Sequence, residues 1–173
     1  MMRTFARAAL AVATLMIGSN AQARDWTLKA GKEPATGAKT AVIAAFEASA
    51  RSPFMLGVKC RAGHPSRKAL IIGSPNAFDK SADYPRRVPI VLRFDNGKPQ
   101  TYVTSPIDID GELGYVADLD LVSGGAAFLG RLARVKSGVA INVGNHTIEI
   151  PVTNSDETVS ALRKACDLDG PSR

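Results

Sequence analysis

The stretch Phe54-Met55-Leu56-Gly57-Val58-Lys59-Cys60 decides how this chain folds. Phe54, Leu56, Val58 and Cys60 occupy one phase of a period-two pattern; Met55, Gly57 and Lys59 occupy the other. Successive side chains of a strand point to opposite faces, so the segment predicts a half-buried β-strand with Cys60 closing its apolar face. The second of two cysteines, Cys166, lies near the far end of the chain. There Val159, Leu162 and Cys166 recur at three- and four-residue steps, which puts Cys166 on the apolar stripe of a helix. Two independent periodicities thus turn both sulfurs toward a core. The expected bond is a disulfide, Cys60–Cys166, stapling an early strand to the last helix. Closing so long a loop contributes roughly 4–5 kcal/mol on the chain-entropy model, less any native strain.

The first residues bear on the compartment. Arg3 and Arg7 form a positive n-region, Ala8 to Ile17 is a short apolar run, and Ala21-Gln22-Ala23 has the small-x-small form of a signal-peptidase site. The run is short for a bilayer span, and Ser19 and Asn20 end it. The expectation is a signal peptide over 1–23, cleavage after Ala23, and a single periplasmic domain over 24–173. No later segment is apolar enough to cross a membrane. Export also favours a disulfide over free thiols. The alternatives, a reactive thiol or a metal site built on Cys60-x-x-x-His64, require partners that His146 alone has to supply.

The whole chain carries 22 basic and 16 acidic residues among 173, a formal charge of +6. Removing Arg3 and Arg7 lowers it to +4, spread without a run resembling a nucleic-acid footprint. The densest basic groups, Arg86-Arg87 and Arg131/Arg134/Lys136, are each candidates to touch an anionic surface but read better as solvated faces. No nucleic-acid partner is expected.

Outward from the 54–60 strand, Thr40 to Glu47 reads as its neighbour, with Thr40, Val42, Ala44 and Phe46 alternating. Trp26-Thr27-Leu28 predicts a short strand, and 31–39 a loop. Lys68 to Ile72 is the next strand, and 74–87 an irregular polar segment. Val88, Ile90, Leu92 and Phe94 alternate inward, Asp95-Asn96-Gly97 supplies a type I′ turn, and Thr101 to Thr104 returns. Residues 105–123 are acidic and glycine-dotted, with a weak strand at 114–119. Ser123 is placed to cap a helix carrying Phe128, Leu129, Leu132 and Ala133. Val139–Val143 and Ile148–Val152 form a hairpin around Gly144-Asn145. Asn154, with Glu157 three residues on, opens the final helix as a capping box. The sum is an α+β domain: a mostly antiparallel β sandwich or partial barrel with two late helices and one disulfide.

Chemistry is harder to find. Gly73-Ser74-Pro75 and Val122-Ser123-Gly124 both fail the nucleophile-elbow pattern. Ser123-Gly124-Gly125 lacks the Gly-Lys-Ser/Thr ending of a phosphate loop and reads as a helix cap. Asp108-Ile109-Asp110-Gly111-Glu112 has too few acids for a calcium loop. Asp118/Asp120 and Asp167/Asp169 are candidate carboxylate pairs better explained as solvated acids. No catalytic residue, metal ligand or cofactor site is therefore expected.

One resemblance covers most of residues 24–173. Trp26, the strand from Thr40 to Phe46, Pro53 to Cys60, Val91-Leu92-Arg93-Phe94-Asp95, Phe128-Leu129-x-x-Leu132 and Ala161-Leu162-Arg163-Lys164-Ala165-Cys166 follow an order similar to that of the VasI-like type VI secretion accessory proteins. Lys59 stands where that family has arginine, and no tryptophan follows Cys166. A second resemblance is to the exported invasion-associated locus B type, whose cysteines are placed differently. Both imply a noncatalytic exported β-rich domain and hand over no active site. The expected function is a periplasmic binding or accessory module, associated with type VI secretion or the cell envelope, that meets a protein partner through a sheet edge or the 74–87 segment. The alternatives are a small periplasmic hydrolase using Asp108, Asp110 or His64, and a small-ligand or metal carrier.

Overall fold

The computed structural model describes residues 24–47, 54–63 and 68–168. Its strands are β1 (Arg24–Asp25), β2 (Thr27–Lys32), β3 (Lys39–Phe46), β4 (Met55–Arg61), β5 (Lys68–Ala77), β6 (Val88–Phe94), β7 (Gln100–Ile109), β8 (Glu112–Asp118), β9 (Gly138–Val143) and β10 (His146–Thr153). Two helices come late, α1 (Phe128–Leu132) and α2 (Ser155–Ala165). All ten strands belong to one sheet, in the order β1-β10-β9-β6-β7-β8-β5-β4-β3-β2. Every pairing is antiparallel except the parallel contact of β1 with β10. Between the sandwich and the partial barrel, the chain adopts the partial barrel.

β1 and β2 stand at opposite ends of that order, yet only Trp26 separates them in sequence. Neighbouring Cα atoms are about 3.8 Å apart, so the sheet must curl until its two ends meet at Trp26. The curl has local causes. In β5, Ser74, Pro75 and Asn76 oppose Leu113 alone, a bulge that bends the strand and tolerates a proline. Just before it Gly73 pairs with Gly114. A Cβ on Gly114 would overlap the Ile109 side chain, and one on Gly73 would come within 3.2 Å of Met55 Cβ. The bare glycines let those two apolar side chains lie flat on the outer face.

Inside the curl the period-two pattern does what the sequence promises. Leu56, Val58 and Cys60 are buried beside Leu70 and Ile72 of β5, with Ile90, Leu92, Ile141 and Ile150 completing the wall. Phe128 of α1 sets its ring edge-on to Phe94 (5.5 Å) and Tyr102 (5.4 Å), closing one mouth of the barrel. On α2, Val159, Leu162 and Cys166 are all buried, and the helix lies against β3 and β2. Cys60 and Cys166 are bonded, their Cα atoms 6.1 Å apart. Among the described residues no helix is long and apolar enough to cross a membrane.

Several expectations change. β3 is a strand, but its inward side chains are Ala41, Ile43 and Ala45, the opposite phase to the larger set the sequence suggested. Small residues face inward because α2 packs there and Cys60 pairs directly with Ala41. Trp26 is not in a strand but hinges β1 to β2, and β2 runs on to Lys32. β5 reaches Ala77, past the expected end at Ile72. The turn after Phe94 is not type I′: β6 and β7 last pair at Leu92 and Gln100, and the left-handed residue is Asp95 (φ 48°) rather than Asn96 or Gly97. Gly97 is needed for closeness instead, since a Cβ there would sit 2.9 Å from Phe94 O. The type I′ turn lies elsewhere, at Asp110-Gly111 (φ 52° and 89°), joining Ile109 to Glu112. The acidic 105–119 region is therefore a regular hairpin. Ser123 caps nothing, because α1 starts five residues later behind Ala127. Asn154 holds the N-cap position of α2 in a left-handed conformation (φ 52°), with no side-chain capping bond, so the box with Glu157 does not form.

Candidate functional site

The structure scatters the acids that the sequence offered. Asp108 and Asp110 belong to the β7–β8 hairpin, where Asp108 accepts the Gly111 N–H (2.7 Å) and lies 3.8 Å from Lys80 Nζ. Asp118 ends β8, about 20 Å away along that strand. Asp120 accepts the Lys68 N–H (2.9 Å) and pairs with its ammonium. Asp167 pairs with Lys39 Nζ at 2.9 Å. His64 and Asp169 lie outside the described residues, and His146 is exposed at the start of β10. Ser123-Gly124-Gly125 forms a turn, with the Gly125 N–H donating to Val122 O (3.0 Å). Among the described residues no three His, Cys, Asp or Glu side chains could hold a metal ion. The 78–87 connection folds on itself: Phe78 stacks on Tyr84 at 5.2 Å, and Tyr84 Oη accepts the Asp79 N–H.

The organised polar feature is instead Asp95. Its left-handed backbone carries the chain out of β6, and its N–H donates to Gly138 O (2.9 Å). Its Oδ1 accepts the N–H groups of Ser137 (2.8 Å) and Gly138 (3.2 Å) and the Ser137 hydroxyl (2.7 Å); the Lys136 N–H reaches both carboxylate oxygens. One carboxylate thus fixes where β9 begins. Burial pushes the Asp95 carboxyl up, but the donors of Ser137, Lys136 and Gly138 outweigh it and hold it below the usual carboxylate range. A depressed folded value stabilises the protein above the unfolded value, and that contribution is lost as pH falls through the folded one. Asp95→Asn is therefore expected to be less stable than the parent at neutral pH, with the gap in urea midpoint narrowing as pH falls below the ordinary carboxylate range.

Beside Asp95 runs a surface groove of about 390 Å³. Arg93, Ala140 and Glu149 floor it from the outer face of β6, β9 and β10; Ile150 and Pro151 form one wall, and Glu47, just past β3, faces them across the seam. Arg93 Nη2 and Glu149 Oε1 are 3.9 Å apart. No family model, curated protein or solved structure matches this chain.

The groove borders an open strand edge. β10 pairs with β9 from His146 to Pro151, but β1 covers its other side only at Val152 and Thr153. Val152 N–H donates inward to Ser137 O. By alternation Thr147 and Glu149 point their N–H and C=O groups to the open side, where Pro151 has no N–H to offer. Among the described residues no strand pairs with that side from His146 to Pro151. Reading the sequence for motifs missed Glu47, Arg93 and Glu149, because they are ordinary charges on ordinary strands. One signal was available: Pro151 inside the alternating Ile148–Val152 run marks an edge strand.

Proposed function

We propose that this chain is a noncatalytic periplasmic binding module, an accessory of the cell envelope or of a type VI secretion apparatus. It takes up an extended segment of a protein partner on the open edge of β10. The observation that carries the reading is the edge at Thr147–Glu149, left uncovered among the described residues and running along a groove that has room for side chains. Strand addition to such an edge is a recurrent mode of peptide recognition: backbone bonds give affinity and flanking pockets give specificity. β1 already uses the last two positions of the same edge in parallel. Glu47 and Glu149 line the groove against the single cation Arg93, and the Asp95 carboxylate is taken up by Lys136–Gly138. The fitting partner therefore presents a cationic side chain beside its extended backbone.

The test places a photocrosslinking residue at Thr147, at Glu149 and, as a control, at Arg86 in bacteria exporting the protein. Adducts at the two edge positions and not at the control are expected, mapping to an extended basic segment. Glu47→Lys should weaken them several-fold, and Thr147→Pro, which removes an edge donor, should abolish them. Equal labelling at all three positions, or at none, overturns the reading.

A further inference from the structure

On the far side of Asp95 from the groove lies a second cleft of about 270 Å³, between the 94–100 connection and the end of α1. Lys98 comes from the connection, Arg131 from α1 and Arg134 from just beyond it; Phe94, Asp95, Gly97, Gln100 and Val135 complete the lining. The cations differ in how they are held. Lys98 and Arg134 are exposed, whereas Arg131 is half-buried and anchored. Its Nη1 donates to Gln100 Oε1 and, at 3.4 Å, to Tyr102 Oη. Tyr102 is 1% exposed and donates its own hydroxyl to the same Gln100 oxygen at 3.0 Å.

Arg131 is thus fixed through a buried tyrosine and an amide, both neutral. Among the described residues neither it nor Lys98 nor Arg134 forms an ion pair. A half-buried guanidinium ordinarily finds a carboxylate, because its charge costs desolvation energy and neutral acceptors only partly offset that. Asp95 is the one carboxylate lining this cleft, and its oxygens are turned to the donors of 136–138. The backbone of Gly124 lies over the guanidinium, where a Cβ would stand 3.6 Å from Nη1. One edge of the fork is used and covered, leaving the rest for a ligand.

We propose that this cleft binds a phosphate group, with Arg131 as a pre-oriented fork and Lys98 and Arg134 closing on the remaining oxygens. Three cations from three places in the chain match a dianion better than a single carboxylate. A guanidinium held by neutral partners makes bidentate bonds to phosphate with little rotamer entropy left to lose. The phosphate is either free or carried on a lipid headgroup, and the site chemistry is the same for both. This site is separate from the β10 edge, so either can fail without the other.

The test follows backbone amide shifts of the residue 24–173 protein at constant ionic strength, with chloride as the reference anion. Inorganic phosphate should give saturable shifts confined to residues 97–100, 124–125 and 131–135. Arg131→Gln should weaken binding about tenfold or more, the loss expected for a charged hydrogen bond. Arg131→Lys should not restore it, since an ammonium lacks the fork. Lys98→Gln and Arg134→Gln, both at exposed positions, should each weaken it several-fold, which keeps the test valid should position 131 fail to fold. Arg86→Gln should leave it unchanged. A parallel arm uses phosphatidylcholine vesicles with and without phosphatidic acid. Binding that needs Arg131 in the vesicle arm alone assigns the phosphate to lipid, and binding in the soluble arm assigns it to free phosphate. Shifts that chloride reproduces, equal losses in Arg86→Gln, or no saturation in either arm overturn the proposal.

Discussion

Replacing Cys60 and Cys166 together by alanine is expected to remove about 4–5 kcal/mol of stability. The bond closes a loop spanning 106 positions, from the end of β4 to the cap of α2. Its loss frees most of the unfolded chain, so the unfolded state expands and exposes more surface. The urea midpoint should fall while the slope of free energy against urea rises. Domains of this size are stable by about 5–15 kcal/mol, so roughly a quarter or more of the total is at stake. Trp26 is the sole tryptophan and is buried, so its fluorescence reports the transition in both proteins. A loss under about 1 kcal/mol with an unchanged slope would mean that apolar packing of Val159 and Leu162 holds α2 without help from the cross-link.

Why this pairing could be read from sequence is instructive beside what could not. Cys60 and Cys166 each sit on an apolar periodicity long enough to give its own phase: Leu56 and Val58 before one, Val159 and Leu162 before the other. The same logic found β4, β6, β9 and β10, where Val, Ile, Leu and Phe alternate with polar residues. It misplaced the faces of β3 because Val42 and Phe46 give the outward phase the bulkier side chains. Ala41 and Ala45 point inward only since α2 must come close, a demand set by residues more than a hundred positions away. Turn chemistry was misassigned between two similar dipeptides. Asn96-Gly97 carries the stronger hairpin signal, but the Asp95 carboxylate, gripping Ser137 and Gly138, takes the left-handed position and lengthens that connection. Asp110-Gly111, weighed within a calcium loop and set aside, makes the type I′ turn instead.

The candidate sites were less legible than the fold, and for a physical reason. A catalytic motif is local, whereas the groove and the cationic cleft gather side chains from β3, β6, β7, β9, β10 and α1 through sheet order. Nothing near Arg131 in sequence announces Gln100 and Tyr102. Only the packing of Phe128 between Phe94 and Tyr102 brings α1 over β7. Arg131 and Arg134 read as a solvated basic face because a one-dimensional reading cannot see that no carboxylate among the described residues pairs with them.

Trp26→Ala is expected to cost about 3–5 kcal/mol and to loosen the sheet at its seam before anywhere else. The indole sits where β1 leaves β10 and β2 joins β3, at the seam between the two ends of the sheet. Its Nε1 donates to Ser155 Oγ at 3.0 Å, and Ser155, itself buried, is the first residue of α2. One side chain thus ties both ends of the sheet to the helix that the disulfide also holds. Trp26→Phe keeps most of the apolar area but strands the serine hydroxyl, a loss of about 1–3 kcal/mol. Ser155→Ala strands the indole N–H at a similar cost, and the double variant should lose less than the two singles combined, because no unpaired group remains. Hydrogen exchange gives the spatial readout. In Trp26→Ala, protection should fall at Thr27–Lys32 and at Thr158, whose N–H opens the α2 ladder on Asn154 O, before it falls in β6 and β9, whose bonds lie across the barrel. Uniform loss of protection over all ten strands would contradict the hinge, since it would place Trp26 among ordinary core residues. A cost below about 1 kcal/mol would show that the ladder contacts of β1 and β2 close the barrel by themselves.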